Sequence, residues 1–323
     1  MMTRTNQILG VVLAVQVLLG AVTWWPSGAA SGDPRDLLGM PVDQIQTIAI
    51  TGRMASDTEP VAPVVLARVG EAWTIESAEG YPAAQSLVDP LLENLGKLSS
   101  REIIASKEMS YPALEVADKA FTRKLEVTGT DGAPHTLLVG AASGKEVNVR
   151  VDGESDVYRV RGLSAFSLAD NANRYFERQL LKLSADELTG VELRRPDQPP
   201  LVLEKADDGT WTAPGSPLPV VASEAKSFAA SLGNLRMLEP AGKNRTPEMG
   251  FDQPIVVHLS IQDEGGATRT ETYRVGSDIA GETGRVWLVL DSMPYVFKAN
   301  KGSLQPSVSQ DIGPLFGEPA ATP

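Results

Sequence analysis

Residues 64–98 read VVLARVGEAWTIESAEGYPAAQSLVDPLLENLGKL, and this stretch sets the fold class. Val64-Val65-Leu66 and Trp73-Thr74 are β-branched and aromatic runs separated by Val69-Gly70-Glu71, a turn signal, so the first part predicts two antiparallel strands. The period then changes. Val88, Leu91, Leu92, Leu95 and Leu98 fall at i, i+3, i+4, i+7 and i+10, one apolar face of a helix. Pro90 inside that run predicts a late start or a kink, because proline has no N–H to give to the preceding turn. Strands followed by a helix with one greasy face predict an antiparallel β-meander with the helix packed on it, an α+β unit with Trp73 in its core.

The same order recurs about 137 residues on. Trp73-Thr74 corresponds to Trp211-Thr212, Leu95-Gly96 to Leu232-Gly233, Val139-Gly140 to Val275-Gly276, Val157-Tyr158 to Pro294-Tyr295 and Ser167-Leu168 to Ser303-Leu304, with offsets between 136 and 138. Five anchors in one order indicate an internal duplication, two tandem repeats over residues 41–183 and 184–317. In the second copy Asp208-Gly209 supplies the turn before Trp211. Ala225, Phe228, Ala229, Leu232 and Leu235 repeat the helix face, Ser227 replaces Pro90, and Ser223 is the expected N-cap. Each copy continues with hairpins: Lys124–Thr128 with Leu137–Val139, Val147–Val151 with Val157–Val160, Ile255–Ile261 with Thr270–Val275, and Val286–Leu290 with Tyr295–Lys298. A second helical piece, Asn173–Leu183, is expected to bridge the copies.

The chain's 323 residues open on Ile8–Trp25, ILGVVLAVQVLLGAVTWW. Eighteen helical residues cover about 27 Å, close to the ~30 Å of bilayer hydrocarbon. Arg4 is the one charged side chain ahead of Asp33, so the positive-inside rule leaves residues 1–7 in the cytoplasm and makes 8–25 a transmembrane helix. Everything after Trp25 is then extracytoplasmic, as a single-pass protein of the inner (cytoplasmic) membrane. The alternative is a signal peptide cleaved near Ala29 or Ala30, where small residues cluster, releasing the body to the periplasm. Residues 26–40 read as a linker and 318–323 as a tail.

Composition narrows the chemistry. With 29 Lys+Arg against 41 Asp+Glu, the net charge of −12 argues against a nucleic-acid partner, which needs a basic face. There is no cysteine, hence no disulfide, thiolate metal site or thiol nucleophile. His135 in a hairpin and His258 on the polar side of a strand are expected as solvated residues. Gly140–Glu146, GAASGKE, misses the Walker A spacing and reads as a connection between strands. Ser223-Glu224-Ala225-Lys226 has the S-x-x-K form of penicillin-recognising enzymes, but its companion motifs are absent from the chain. Asp152, Glu154 and Asp156 form an acidic tip without the EF-hand layout. No catalytic, cofactor-binding or metal-ligating residue is singled out and no cofactor is implied. Duplicated β-rich units without a shared polar constellation point to a binding or scaffolding surface.

One combination has a family look. An N-terminal span precedes Trp73-Thr74, then comes Tyr81-Pro82-Ala83 before an L-x-x-L helix. Later follow Met249-Gly250-Phe251-Asp252-Gln253-Pro254 before a strand, the Val275-Gly276 step and an aromatic strand at Val157–Val160. The chain thereby resembles domain-of-unknown-function family 4340 over most of residues 40–316. Met109-Ser110-Tyr111-Pro112 is a blurred version of the Gly-Phe-Asp-x-Pro step. The resemblance implies a bacterial, non-enzymatic accessory subunit of an ABC-type transport or export complex of the gliding-motility-like kind. Its implied partners are an ABC permease with its auxiliary membrane subunit; the apolar run over residues 8–25 adds inner-membrane lipid. Two other readings stand beside it: an envelope module that binds glycan or peptide, and, more remotely, an envelope hydrolase using Ser223 and Lys226.

Overall fold

The computed structural model describes residues 33–54, 61–263 and 265–318. The apolar run Ile8–Trp25 and nearly all of the tail lie outside them. Among the described residues no helix is long and apolar enough to cross a membrane. Strand β1 (Arg35–Asp36) pairs with Ser99–Ser100 and delivers Leu37 and Leu38 to the interior, each 1 % exposed. The end of the expected linker 26–40 is therefore part of the folded body, because two leucines in a row find apolar cover there.

In chain order follow β2 (Ile45–Thr51), β3 (Val64–Val69), β4 (Ala72–Ile75), β5 (Tyr81–Pro82), helix α1 (Gln85–Gly96), β6 (Ser99–Ser100) and β7 (Ile103–Ala105). Next come the four-residue helix α2 (Tyr111–Leu114), a small hairpin of β8 (Val116–Ala117) and β9 (Ala120–Phe121), then β10 (Arg123–Gly129), β11 (Pro134–Ser143), β12 (Glu146–Val151) and β13 (Val157–Arg161). Nine strands form one antiparallel sheet in the order β5-β4-β3-β2-β10-β11-β12-β13-β7. Alternate residues of a strand share a face. Ile48, Ile50, Leu66, Trp73, Ile75, Leu125 and Val127 accordingly line the inner side, and α1 lays Val88, Leu91 and Leu95 on them. The helix starts five residues before Pro90 and continues past it to Gly96, so the late start expected from the proline does not occur.

The second half consists of β14 (Gln179–Lys182), β15 (Leu188–Arg194), β16 (Leu201–Lys205), β17 (Trp211–Thr212), α3 (Ala222–Leu232), β18 (Asn234–Arg236), β19 (Glu239–Pro240), β20 (Ile255–Gln262), β21 (Thr268–Asp278), β22 (Arg285–Leu290), β23 (Val296–Asn300) and the short α4 (Gln305–Val308). Its sheet runs β17-β16-β15-β20-β21-β22-β23-β19, all antiparallel. In both sheets the strands before the helix lie on one side, the four later strands on the other, and a short strand that follows the helix closes the far edge. Trp211, Phe228, Leu259 and Leu288 share the second core.

Two local expectations are corrected. Asn173–Leu183 is no helix: a single 3-10 turn, Ala172–Arg174, precedes β14, which pairs with β18. The cap of α3 is Val221, leaving Ser223 as the second helical residue with no capping hydrogen bond.

The recurring Val-Gly step has a steric cause. A Cβ on Gly140 would sit 2.0 Å from the Leu114 carbonyl oxygen, and one on Gly276 would sit 2.1 Å from that of Met249. Both glycines follow the last pair before the register of their strand shifts. The residues just after the two pressing carbonyls, Glu115 (φ 56°) and Gly250 (φ 71°), are both left-handed and turn the chain away.

Candidate functional site

The side chains that the sequence brings forward are scattered. His135 on β11 is half-buried, with its Nε2–H donating to the Leu37 carbonyl at 2.8 Å. His258 on β20, in the other sheet, is also half-buried, with Nδ1 2.8 Å from the Thr272 hydroxyl. Both are thus held by partners within the fold and not simply solvated. Of Gly140–Glu146, the first four residues end β11, Gly144 and Lys145 make the turn and Glu146 opens β12. Ser223 is exposed on α3, and the Lys226 ammonium lies 3.1 Å from the Asp186 carboxylate. Among the described residues no group of three or more His, Asp or Glu is arranged to hold a metal ion.

The acidic tip at 152–156 is the exception, because it forms part of a built site. It borders an open groove of about 680 Å³ on the outer face of the first sheet, with Glu108, Met109, Tyr111, Asp118 and Arg150 among its lining. The outer face is covered here because α2 and the β8–β9 hairpin fold back over it. Tyr111, Val116 and Phe121 pack on Leu138 and Val157. Pro112 in the first turn of α2 fits where a helix has no use for the N–H.

Arg150 forms the floor. Strand alternation turns it to the outer face, in register with Leu138 and Val157, yet it is only 5 % exposed. Its Nε donates to the Val116 carbonyl at 2.9 Å and its Nη1 to the Glu154 carbonyl at 3.2 Å, while Nη2 is paired with Asp118. The guanidinium carbon lies 4.6 Å from the centre of the Tyr111 ring, and the Tyr111 hydroxyl donates to the Ser155 carbonyl at 2.8 Å. A buried guanidinium needs this many acceptors, since each unpaired donor would carry its full desolvation cost. The floor is therefore fixed before any ligand arrives.

At the rim, Glu154 is paired with Arg35 from β1. The Tyr158 hydroxyl, which accepts from Arg35 Nη1 at 3.1 Å, is the main cause that keeps the Arg35 guanidinium above its ordinary pKa; partial burial opposes this and Glu154 adds to it. Met109 stands 83 % exposed.

The second sheet carries a smaller open groove, of about 330 Å³, elsewhere on its surface, lined by Glu192, Glu204 and His258 among others. At the matching register that sheet carries Arg274, Val289 and Val296, and Val289 is sealed by Met249, Phe251 and Trp287. Sequence reading found the acidic tip but missed Arg150. The usable signal was Val147-Asn148-Val149-Arg150-Val151, whose polar members face away from the core, next to the aromatic and apolar residues of 111–121 that cover them.

A family model described as Domain of unknown function (DUF4340) matches residues 73–254, more than half of the chain and a narrower span than residues 40–316. Among curated proteins and solved structures nothing matches.

Proposed function

This chain belongs to the DUF4340 family, and on that premise we propose that it is a membrane-anchored, non-enzymatic, extracytoplasmic accessory subunit of an ABC-type transport or export assembly. Ile8–Trp25 is its inner-membrane anchor, and residues 41–183 and 184–317 are two copies of one unit. The matching order of strands around α1 and α3, together with the five sequence anchors, supports the duplication. The partners are the permease and its auxiliary membrane subunit.

The observation that carries this reading is how the N-terminal side joins the body. β1 is paired in a sheet and Leu37 and Leu38 are core residues. An anchor joined this way holds the body close to the membrane, so that a weak contact with a neighbouring membrane protein is effectively intramolecular.

The test is fractionation followed by co-purification. The full-length chain is expected in the inner-membrane fraction, resistant to carbonate wash, and to bring down a permease and an ATPase after detergent extraction. Recovery from the soluble periplasmic fraction with a shortened N-terminus, or purification free of both partners, overturns the proposal.

A further inference from the structure

We infer that the groove floored by Arg150 is the docking face for a basic extracytoplasmic segment of the membrane-embedded partner; this rests on the anchored reading above. Position is the first argument. Arg35 lies ten residues after Trp25 and is ion-paired with Glu154 at the groove's rim. Ten residues reach at most about 36 Å, so the anchor keeps that rim within this distance of the outer bilayer surface by any path. Lys145, at the opposite end of the six-residue strand β12, is about 20 Å further along the sheet.

Charge is the second argument. Asp118 and Glu154 are each paired with an arginine, whereas Glu108 and Asp152, also in the lining, form no ion pair among the described residues. Lys107 and Lys119 are neighbours in sequence but do not line the groove. With the guanidinium buried in the floor and committed to its partners, the open side offers carboxylates. Anionic lipid headgroups are repelled by such a surface, and lysine or arginine side chains are drawn to it.

The third argument is asymmetry. Met109 offers an exposed, unbranched apolar side chain that adapts to a partner's shape, and Ile103 on the edge strand β7 is 50 % exposed. The second sheet is sealed at the same register by Val289, Phe251 and Trp287. The groove thus belongs to the half that the anchor joins.

Because the chain contains no cysteine, Met109→Cys and Lys145→Cys each place one thiol on it. Both variants are labelled in native membranes with a maleimide benzophenone and irradiated. Met109→Cys is expected to give an adduct with a Lys- or Arg-bearing extracytoplasmic peptide of an integral membrane protein, at least fivefold above Lys145→Cys. Adding Glu108→Lys and Asp152→Lys is expected to reduce that adduct at least fivefold. Equal adducts at both positions overturn the inference, as does an adduct only with lipid, a soluble protein or a second copy of this chain, or one indifferent to charge reversal. Carbonate-resistant retention of the same variants is scored separately. If the chain washes off, the anchored reading has failed; if it stays and Met109→Cys gives no such adduct, the docking inference alone has failed.

Discussion

The ring of Tyr81 meets the ring of Tyr295 edge-on, with centroids 5.1 Å apart and planes at 84°. Tyr81 belongs to the edge strand of the first sheet but is buried among the residues of the second core, against Phe297 and Phe176 as well. Its hydroxyl donates to the Glu177 carbonyl at 2.6 Å. Just before it, the Glu79 carbonyl accepts from Lys243 Nζ at 2.8 Å and from the Tyr295 hydroxyl at 3.2 Å. Tyr81 is therefore the plug by which one half seals the other.

Tyr81→Ala is expected to cost about 3–5 kcal/mol, the range for emptying a large aromatic from a core. Tyr81→Phe keeps the ring and leaves the Glu177 carbonyl short of a donor, a loss of about 1–2 kcal/mol. Urea unfolding of both variants checks the order; equal losses would mean that the ring contacts contribute nothing.

Alkali should unfold this protein through its buried phenols. Burial is the main cause that pushes the Tyr175 hydroxyl up to about 12 and raises Tyr81 and Tyr273 further. Unfolded tyrosines ionise near pH 10. Since the folded state holds its protons to higher pH, the stabilisation is complete below about pH 10 and is lost as pH rises from there towards the folded values. Unfolding free energies measured from pH 8 to 11.5 should be flat and then fall, less steeply in Tyr175→Phe. A level profile throughout would refute this.

Gly140→Ala and Gly276→Ala force a methyl group onto a backbone carbonyl that cannot swing aside. Each is expected to cost about 3 kcal/mol, the upper part of the range for overpacking. Gly144→Ala, at φ +65° with open space around it, is the control and should cost about 1 kcal/mol from left-handed strain alone. Thermal and urea denaturation rank the three.

Arg150→Met retains bulk over the Tyr111 ring but leaves the Val116 and Glu154 carbonyls without their donor. A loss of about 2–4 kcal/mol is expected from these hydrogen bonds and the cation–π contact. Asp118→Asn should cost under about 1 kcal/mol, because that carboxylate is 76 % exposed and its pairing is weakened by water. A large effect of Asp118→Asn with a small one of Arg150→Met would invert the account of the groove floor.

Much of the fold was legible from short-range pattern. The buried faces of α1 and α3, the burial of Trp73 and Trp211 and the hairpins around Gly132 and Gly153 follow from spacing. So does the prominence of the Val-Gly steps, although their cause, a carbonyl pressing from a distant loop, does not. Other features depend on partners remote in the chain. Leu180 and Leu181 suit a helix as well as a strand until Asn234–Arg236 arrives to pair with them. Ser223 resembles a cap, but the N–H of Val221 is bound to the Leu315 carbonyl at 2.8 Å, and that contact sets where the helix begins. Of the site, the acidic tip could be read directly, whereas the groove could not, because it exists only where α2 and the β8–β9 hairpin overlie Arg150.

By itself, then, the amino-acid sequence determined the two longer helices, most of the longer strands and which of their faces are apolar. These depend on side-chain periodicity within a few residues. Tertiary structure alone decided that Leu37 and Leu38 enter the core, that Tyr81 crosses into the other half and that a guanidinium is buried in a groove. Each of these is a matter of which surfaces meet, and burial is a property of the assembled neighbours, not of the residue.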